Sequence, residues 1–153
     1  MKWIKIVPFG IAAVAMTALV SDDELSVAKT TPAPKSSTRI AWRTSFQAAQ
    51  AEAKRTNKPL LVDFTADWCT NCKVMDAKTY TDANVIRESK KFVAVKVDTD
   101  KDTATAKKYR VSSLPVVAVL KTDGTMSSAF LGFRDAKGTV SFLKTAYAKA
   151  RRK

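Results

Sequence analysis

From residue 39 onward the chain alternates short apolar runs with helix-spaced apolar positions, and this alternation predicts its elements. Phe46, Ala49 and Ala53, with Trp42 nearby, form one helical face. Thr44 and Gln47 have capping-box spacing at its start, and Asn57-Lys58-Pro59 stops it. Leu60-Leu61-Val62-Asp63-Phe64 then reads as a buried strand, with Asp63 as its one polar interruption. A helix is expected at or just after Cys69, carrying Cys72, Val74 and Met75 toward Tyr80, and Thr81 or Asp82 can cap another through Val85 and Ile86. Phe92 to Val97 is a second strand, ending in the polar Asp98-Thr99-Asp100, and residues 103–109 make a short helix. Val111-Ser112-Ser113-Leu114-Pro115 leads into a strand from Val116 to Leu120; the turn signal Asp123-Gly124 returns residues 126–133 antiparallel beside it. A last helix, from about Asp135 to Ala150, places Val140, Leu143, Ala146 and Tyr147 on one face, with Gly138 weakening its first turn. Strand, helix, strand, helix, then hairpin and helix predict an α/β sandwich around a mixed sheet.

The first 38 residues follow a different pattern. Lys2 and Lys5 precede an apolar run from Ile6 to Val20, so residues 1–20 are expected to be an export signal. Ala13-Val14-Ala15 offers a small-x-small cleavage site, yet Trp3 to Val20 is also long enough for a short single span, so a cleaved signal and an uncleaved anchor both stand. Either way the rest of the chain is expected outside the cytoplasm, in the periplasm or on the outer face of the membrane. Residues 21–38 contain Pro32 and Pro34 among Ser, Thr and charged residues, too polar to bury a core, and read as a flexible linker to a domain over 39–153.

Composition narrows the chemistry. Hydrophobic residues make up 46% of the 153 and charged residues 27%, enough for one core without a disulfide scaffold. The net charge of +13 is spread along the chain, with only Lys149, Arg151, Arg152 and Lys153 forming a run and no accompanying aromatic and glycine pattern, so a nucleic-acid partner is not expected. With no histidine in the sequence, Ser-His-Asp and Cys-His catalysis and His-containing metal sites are excluded.

The only two cysteines, Cys69 and Cys72, stand two residues apart in ADWCTNCK. They could be a redox pair, half of a zinc site or two inert buried thiols. A structural zinc site needs four ligands, and two thiolates without an imidazole fall short unless another chain contributes, so no metal is expected. Placement favours the redox pair, because a strand ends and a helix begins here. The helix N-terminus favours a thiolate at Cys69, which should attack; Cys72, one turn deeper, should resolve the mixed disulfide. Asp63, interrupting its strand six residues before Cys69, is the candidate base, since a buried carboxyl with a raised pKa can take the proton of Cys72. A solvent-facing Asp63 is the alternative.

These residues resemble the thioredoxin superfamily, and more narrowly the periplasmic C-terminal thioredoxin-like domain of DsbD-type thiol:disulfide interchange proteins. The resemblance runs from about residue 40 to 150 through Lys58 to Lys73, Val97-Asp98, Leu114-Pro115 and Gly132-Phe133. It implies a three-layer thioredoxin-like sandwich, catalytic Cys69, Cys72 and Asp63, and no cofactor beyond the Cys69-Cys72 disulfide. It also implies a shielding Trp68 on the active-site surface, where a plain core aromatic is the competing reading. Pro115 would be a cis-proline facing the disulfide, with the Leu114 backbone pairing with a substrate strand. Thr70-Asn71 replaces the Gly-Pro of thioredoxin, so the potential cannot be borrowed; within the family it spans on the order of 100 mV or more. The implied function is that of a monomeric thiol:disulfide oxidoreductase, a reductase of protein disulfides such as misoxidised cysteines or cytochrome c apoproteins. Because the chain has at most one span, a separate membrane-embedded electron donor is implied. A disulfide-forming oxidase and a non-catalytic binding module are the alternatives.

Overall fold

The structure, a computed structural model, describes residues 38–152. The expected signal or anchor, and all but the last residue of the linker, lie outside the described residues. Helix α1 (Phe46–Thr56) precedes β1 (Leu60–Thr65), α2 (Thr70–Val74), a π-helical turn (Met75–Thr79), α3 (Ala83–Ser89) and β2 (Val93–Asp98). Then come α4 (Thr103–Lys108), β3 (Val116–Leu120), β4 (Met126–Leu131) and α5 (Ala136–Ala150). The strand order β2-β1-β3-β4 pairs β1 with β2 in parallel and β3 antiparallel with both β1 and β4, which is the expected mixed sheet. Arg43 adds one further parallel rung against Val95 beyond β2, held by its N–H to the Ala94 carbonyl.

Both faces of the sheet are covered, which is why β1 reads as a continuous apolar run. One face carries Leu60, Val62, Phe64, Val93, Val95 and Leu120 and packs on Phe46, Ala49 and Ala53 of α1. The other carries Leu61, Ala94, Val117 and Val119 and packs on Met75, Tyr80, Val85, Ile86 and Leu143. Trp42 belongs to this second face, edge-on to Tyr80, and not to the α1 face with which the sequence grouped it.

Local details shift some boundaries. Helix α1 begins at Phe46, so its cap is Ser45, whose Oγ accepts from Ala48 N at 3.3 Å; the expected Thr44 and Gln47 box sits one residue too early. Asn57 stops the helix in the left-handed region at φ 52°. Asp82, Asp102 and Asp135 cap α3, α4 and α5 with their carboxylates. Strand β4 ends at Leu131, short of the expected Phe133, because Gly132 turns the chain at φ 87°. Gly138 has a spatial reason to be glycine: a Cβ there would meet Arg134 Cγ at 2.9 Å, while its N–H donates to Asp135 Oδ1 at 2.7 Å. Among the described residues no helix is long and apolar enough to cross a membrane.

Candidate redox site

Strand β1 delivers the chain to the site. After Thr65, Ala66 is buried, Asp67 and Trp68 are exposed, and the Cys69 N–H donates to the Ala66 carbonyl at 3.0 Å. Cys69 occupies the capping position of α2 in an extended conformation, and its Sγ accepts from Cys72 N–H at 3.2 Å. The two cysteines form a disulfide across 5.3 Å between their Cα atoms. Both are buried, at 5% and 2% exposure, so the expected contrast between an open Cys69 and a deep Cys72 is small in this oxidised form. What distinguishes Cys69 is its capping position, where free N–H groups stabilise an anionic sulfur. Thr70 and Asn71, the first two residues of α2, are exposed.

Trp68 is 66% exposed, which rules out the core-aromatic reading. Its Nε1–H donates to Asp100 Oδ2 at 2.9 Å, fixing the indole to the loop after β2. Lys101 in that loop binds Asp98 at 2.7 Å and reaches Asp67 at 3.6 Å. The Leu114–Pro115 peptide is cis, Pro115 is buried and Leu114 is half-buried. Because Phe64 pairs with Val116, Leu114 and Pro115 lie at the end of the sheet where β1 delivers Cys69. The Gly132 N–H donates to the Pro115 carbonyl at 2.8 Å, tying the end of β4 to the same place.

Asp63 is buried, at 1% exposure, so the solvent-facing alternative does not hold. Its Oδ2 accepts from Lys96 Nζ at 2.7 Å. Lys96 is its register partner on β2, and the same ammonium reaches Asp76 Oδ1 at 2.6 Å on the π-helical turn. Lys96 lies 5.1 Å from the Trp42 ring centre and 5.2 Å from that of Tyr80. Burial pushes the Asp63 carboxyl above its ordinary range, and the Lys96 charge opposes this only in part. Burial works against the Lys96 charge, but the Asp63 and Asp76 carboxylates outweigh it and hold the ammonium above its ordinary value. A buried carboxyl with a raised pKa, on the strand that leads to the redox pair, is chemically suited to proton transfer.

The sequence predicts Cys69, Cys72, Asp63 and Pro115 as site residues; it gives no role to Lys96 or Asp76 and uses Tyr80 only to mark the far end of a helix. The signal for Lys96 is present: it is the one charge within β2 before its closing Asp98, as Asp63 is the one charge in β1, each at the fourth position of its strand. Among the described residues no group of three or more His, Cys, Asp or Glu side chains could hold a metal.

A family model described as thioredoxin-like matches residues 41–122, more than half of the chain. The chain belongs to the thioredoxin-like family. It is 32% identical over 77 residues to the thiol:disulfide interchange protein DsbD of Campylobacter jejuni, covering 48% of this chain and 14% of that protein. It is 34% identical over 95 residues to the mitochondrial thioredoxin of Mus musculus, covering 62% of this chain and 55% of that one. The chain thus spans well under two thirds of either relative. Among solved structures, the reduced C-terminal domain of Neisseria meningitidis DsbD matches with TM-score 0.59 and 29% identity over 65% of this chain and 92% of that domain. A CxxC disulfide at the start of α2 in this family supports thiol:disulfide oxidoreductase activity, with the exchanged electrons held by Cys69 and Cys72 themselves.

Proposed function

We propose that this chain is an exported thiol:disulfide oxidoreductase that reduces protein disulfides and is itself reduced by a membrane-embedded donor. The observation that carries the proposal is the Cys69–Cys72 disulfide at the α2 N-terminus, reached by a strand that buries Asp63 six residues earlier. In the reduced protein, the Cys69 thiolate attacks one sulfur of a partner disulfide; an S–S bond forms to Cys69 and the partner's other sulfur leaves as a thiolate. Asp63 takes the proton of Cys72, whose sulfur attacks Cys69 Sγ and expels the partner's second thiolate. The partner gains two electrons and the protein returns to the disulfide form, which a donor dithiol reduces by the reverse exchange. Trp68 and the backbone at Leu114-Pro115 border the pair and position the partner segment, while Thr70 and Asn71 tune the potential.

The likeness to DsbD-type proteins and the apolar run of residues 6–20 support export, with residues 1–20 as signal or anchor and 21–38 as tether. Replacement of Cys72 tests the order of attack. Cys72→Ser is expected to accumulate mixed disulfides through Cys69, visible by mass spectrometry after non-reducing isolation; recovery of no Cys69-linked partner would count against it. The midpoint potential sets the direction: near −270 mV supports the reductase, whereas near −120 mV supports a disulfide-forming oxidase.

A further inference from the structure

The Tyr80 hydroxyl is buried and has no partner in good hydrogen-bond geometry, although it faces the Asp63 carboxylate closely enough for each to perturb the other. Buried hydroxyls are seldom left so, because desolvation then goes uncompensated, and a phenylalanine would fill the same space without that cost. Everything else about the ring is fixed. It stands edge-on to Trp42 with centroids 5.1 Å apart, Lys96 lies 5.2 Å over its face, and the Tyr80 N–H is held by the Met75 carbonyl at 2.9 Å across the π-helical turn. Only the O–H bond is free to turn, and it lies beside a group whose charge changes during the reaction. Burial first, then the neighbouring Asp63 carboxylate, pushes the phenol well above its ordinary range, so it remains a proton donor at working pH.

We propose that Tyr80 is a positioning residue for the exchange reaction, its hydroxyl turning to donate to Asp63 whenever that carboxylate is ionised. This rests on the reading of Asp63 as the base for Cys72. The charged groups facing Asp63 are then the Lys96 ammonium, which stabilises its ionised form, and the Asp76 carboxylate, which opposes it; Tyr80 is the neutral donor between them. The division of labour follows from their chemistry. Lys96 is shared with half-exposed Asp76, so its hold on Asp63 varies with what happens at the surface. The buried phenol has no such second partner, so it sets a constant part of the affinity of Asp63 for a proton. Without it, Asp63 would stay protonated to higher pH and Cys72 would lose its base over that interval.

The test is the reaction of the reduced full chain with 5,5′-dithiobis(2-nitrobenzoate) in stopped flow. The first thionitrobenzoate is released when Cys69 attacks the reagent, and the second when Cys72 closes the Cys69–Cys72 disulfide. In Tyr80→Phe the acid limb of the second phase is expected to move up by about one pH unit, with the first phase unchanged. 3-Fluorotyrosine at position 80, a stronger donor of the same shape, is expected to move the limb down, and this arm holds even if Tyr80→Phe folds poorly. Limbs that stay in place in both proteins, while Asp63→Asn abolishes the limb, would overturn the role of Tyr80 alone. A limb that survives in Asp63→Asn would overturn the base assignment, and the role of Tyr80 with it.

Discussion

The two faces of the central sheet are made from alternate residues of the same strands, yet they behave differently. Toward α1, Leu60, Val62 and Phe64 of β1 meet Val93, Val95 and Val97 of β2 without a charged side chain between them. Toward the other helices the same strands present Leu61 and Ala94, and then Asp63 beside Lys96. A buried ion pair adds little net stability, since desolvation of both charges offsets their attraction. A fold seeking only stability would have continued the apolar pattern. Both faces carry an apolar core, but the α1 face is apolar throughout along β1 and β2, whereas the opposite face gives up some cohesion to place an acid on the strand that delivers Cys69.

Three substitutions can break that contrast, in descending order of effect. Phe64→Ala should cost about 3–5 kcal/mol in denaturant unfolding and leave the exchange rate of the folded protein unchanged; a slower rate would mean the faces are not independent. Lys96→Met should cost about 3 kcal/mol near neutral pH by leaving Asp63 without its cation, and much of this should return in the double variant with Asp63→Asn. Additive losses in that double-mutant cycle would show the pair to be uncoupled. The smallest effect is on pH dependence. Because burial raises the pKa of folded Asp63, the folded chain holds this proton more tightly than the unfolded chain does. Its contribution to stability is therefore full below the ordinary carboxyl value of 3.8 and is lost as pH rises through the folded value. Asp63→Asn should flatten stability against pH over that window, which thermal melts at a series of pH values would show.

The comparison also explains what the sequence made legible. Runs buried on both faces and turns at Asp123-Gly124 are local signals, so the strands, their order along the chain and the hairpin could be read directly. Cys69 and Asp63 were conspicuous for the same reason, each being a chemical group where the local pattern left no other use for it. Lys96 was harder, because its meaning depends on the register that sets it against Asp63, and pairing between strands 33 residues apart is not a local property. Tyr80 was harder still. The sequence predicts a plain helix toward it, whereas the π-helical turn sets its N–H on the Met75 carbonyl five residues back. The start of α1 was missed by one residue because Thr44 and Ser45 are both good caps and only the packing of Phe46 chooses between them.

The sulfur at the start of α2 has one more consequence. Four other helices are capped by oxygen, from Ser45, Asp82, Asp102 and Asp135, and those caps are permanent. The cap of α2 is Cys69 Sγ, an atom whose charge depends on whether the protein is carrying electrons. As a thiolate it accepts the Cys72 N–H more strongly than it can as half of a disulfide, so the first turn of α2 is firmer in the reduced protein. The relation is reciprocal: whatever firms that turn stabilises the reduced form and makes the couple more oxidising. The proposed tuning of the potential by Thr70 and Asn71 would then run through the mechanics of this helix end, whose first turn carries no acidic residue. On that proposal, the first turn of α2 is both a structural joint and the place where the electron affinity of the couple is adjusted.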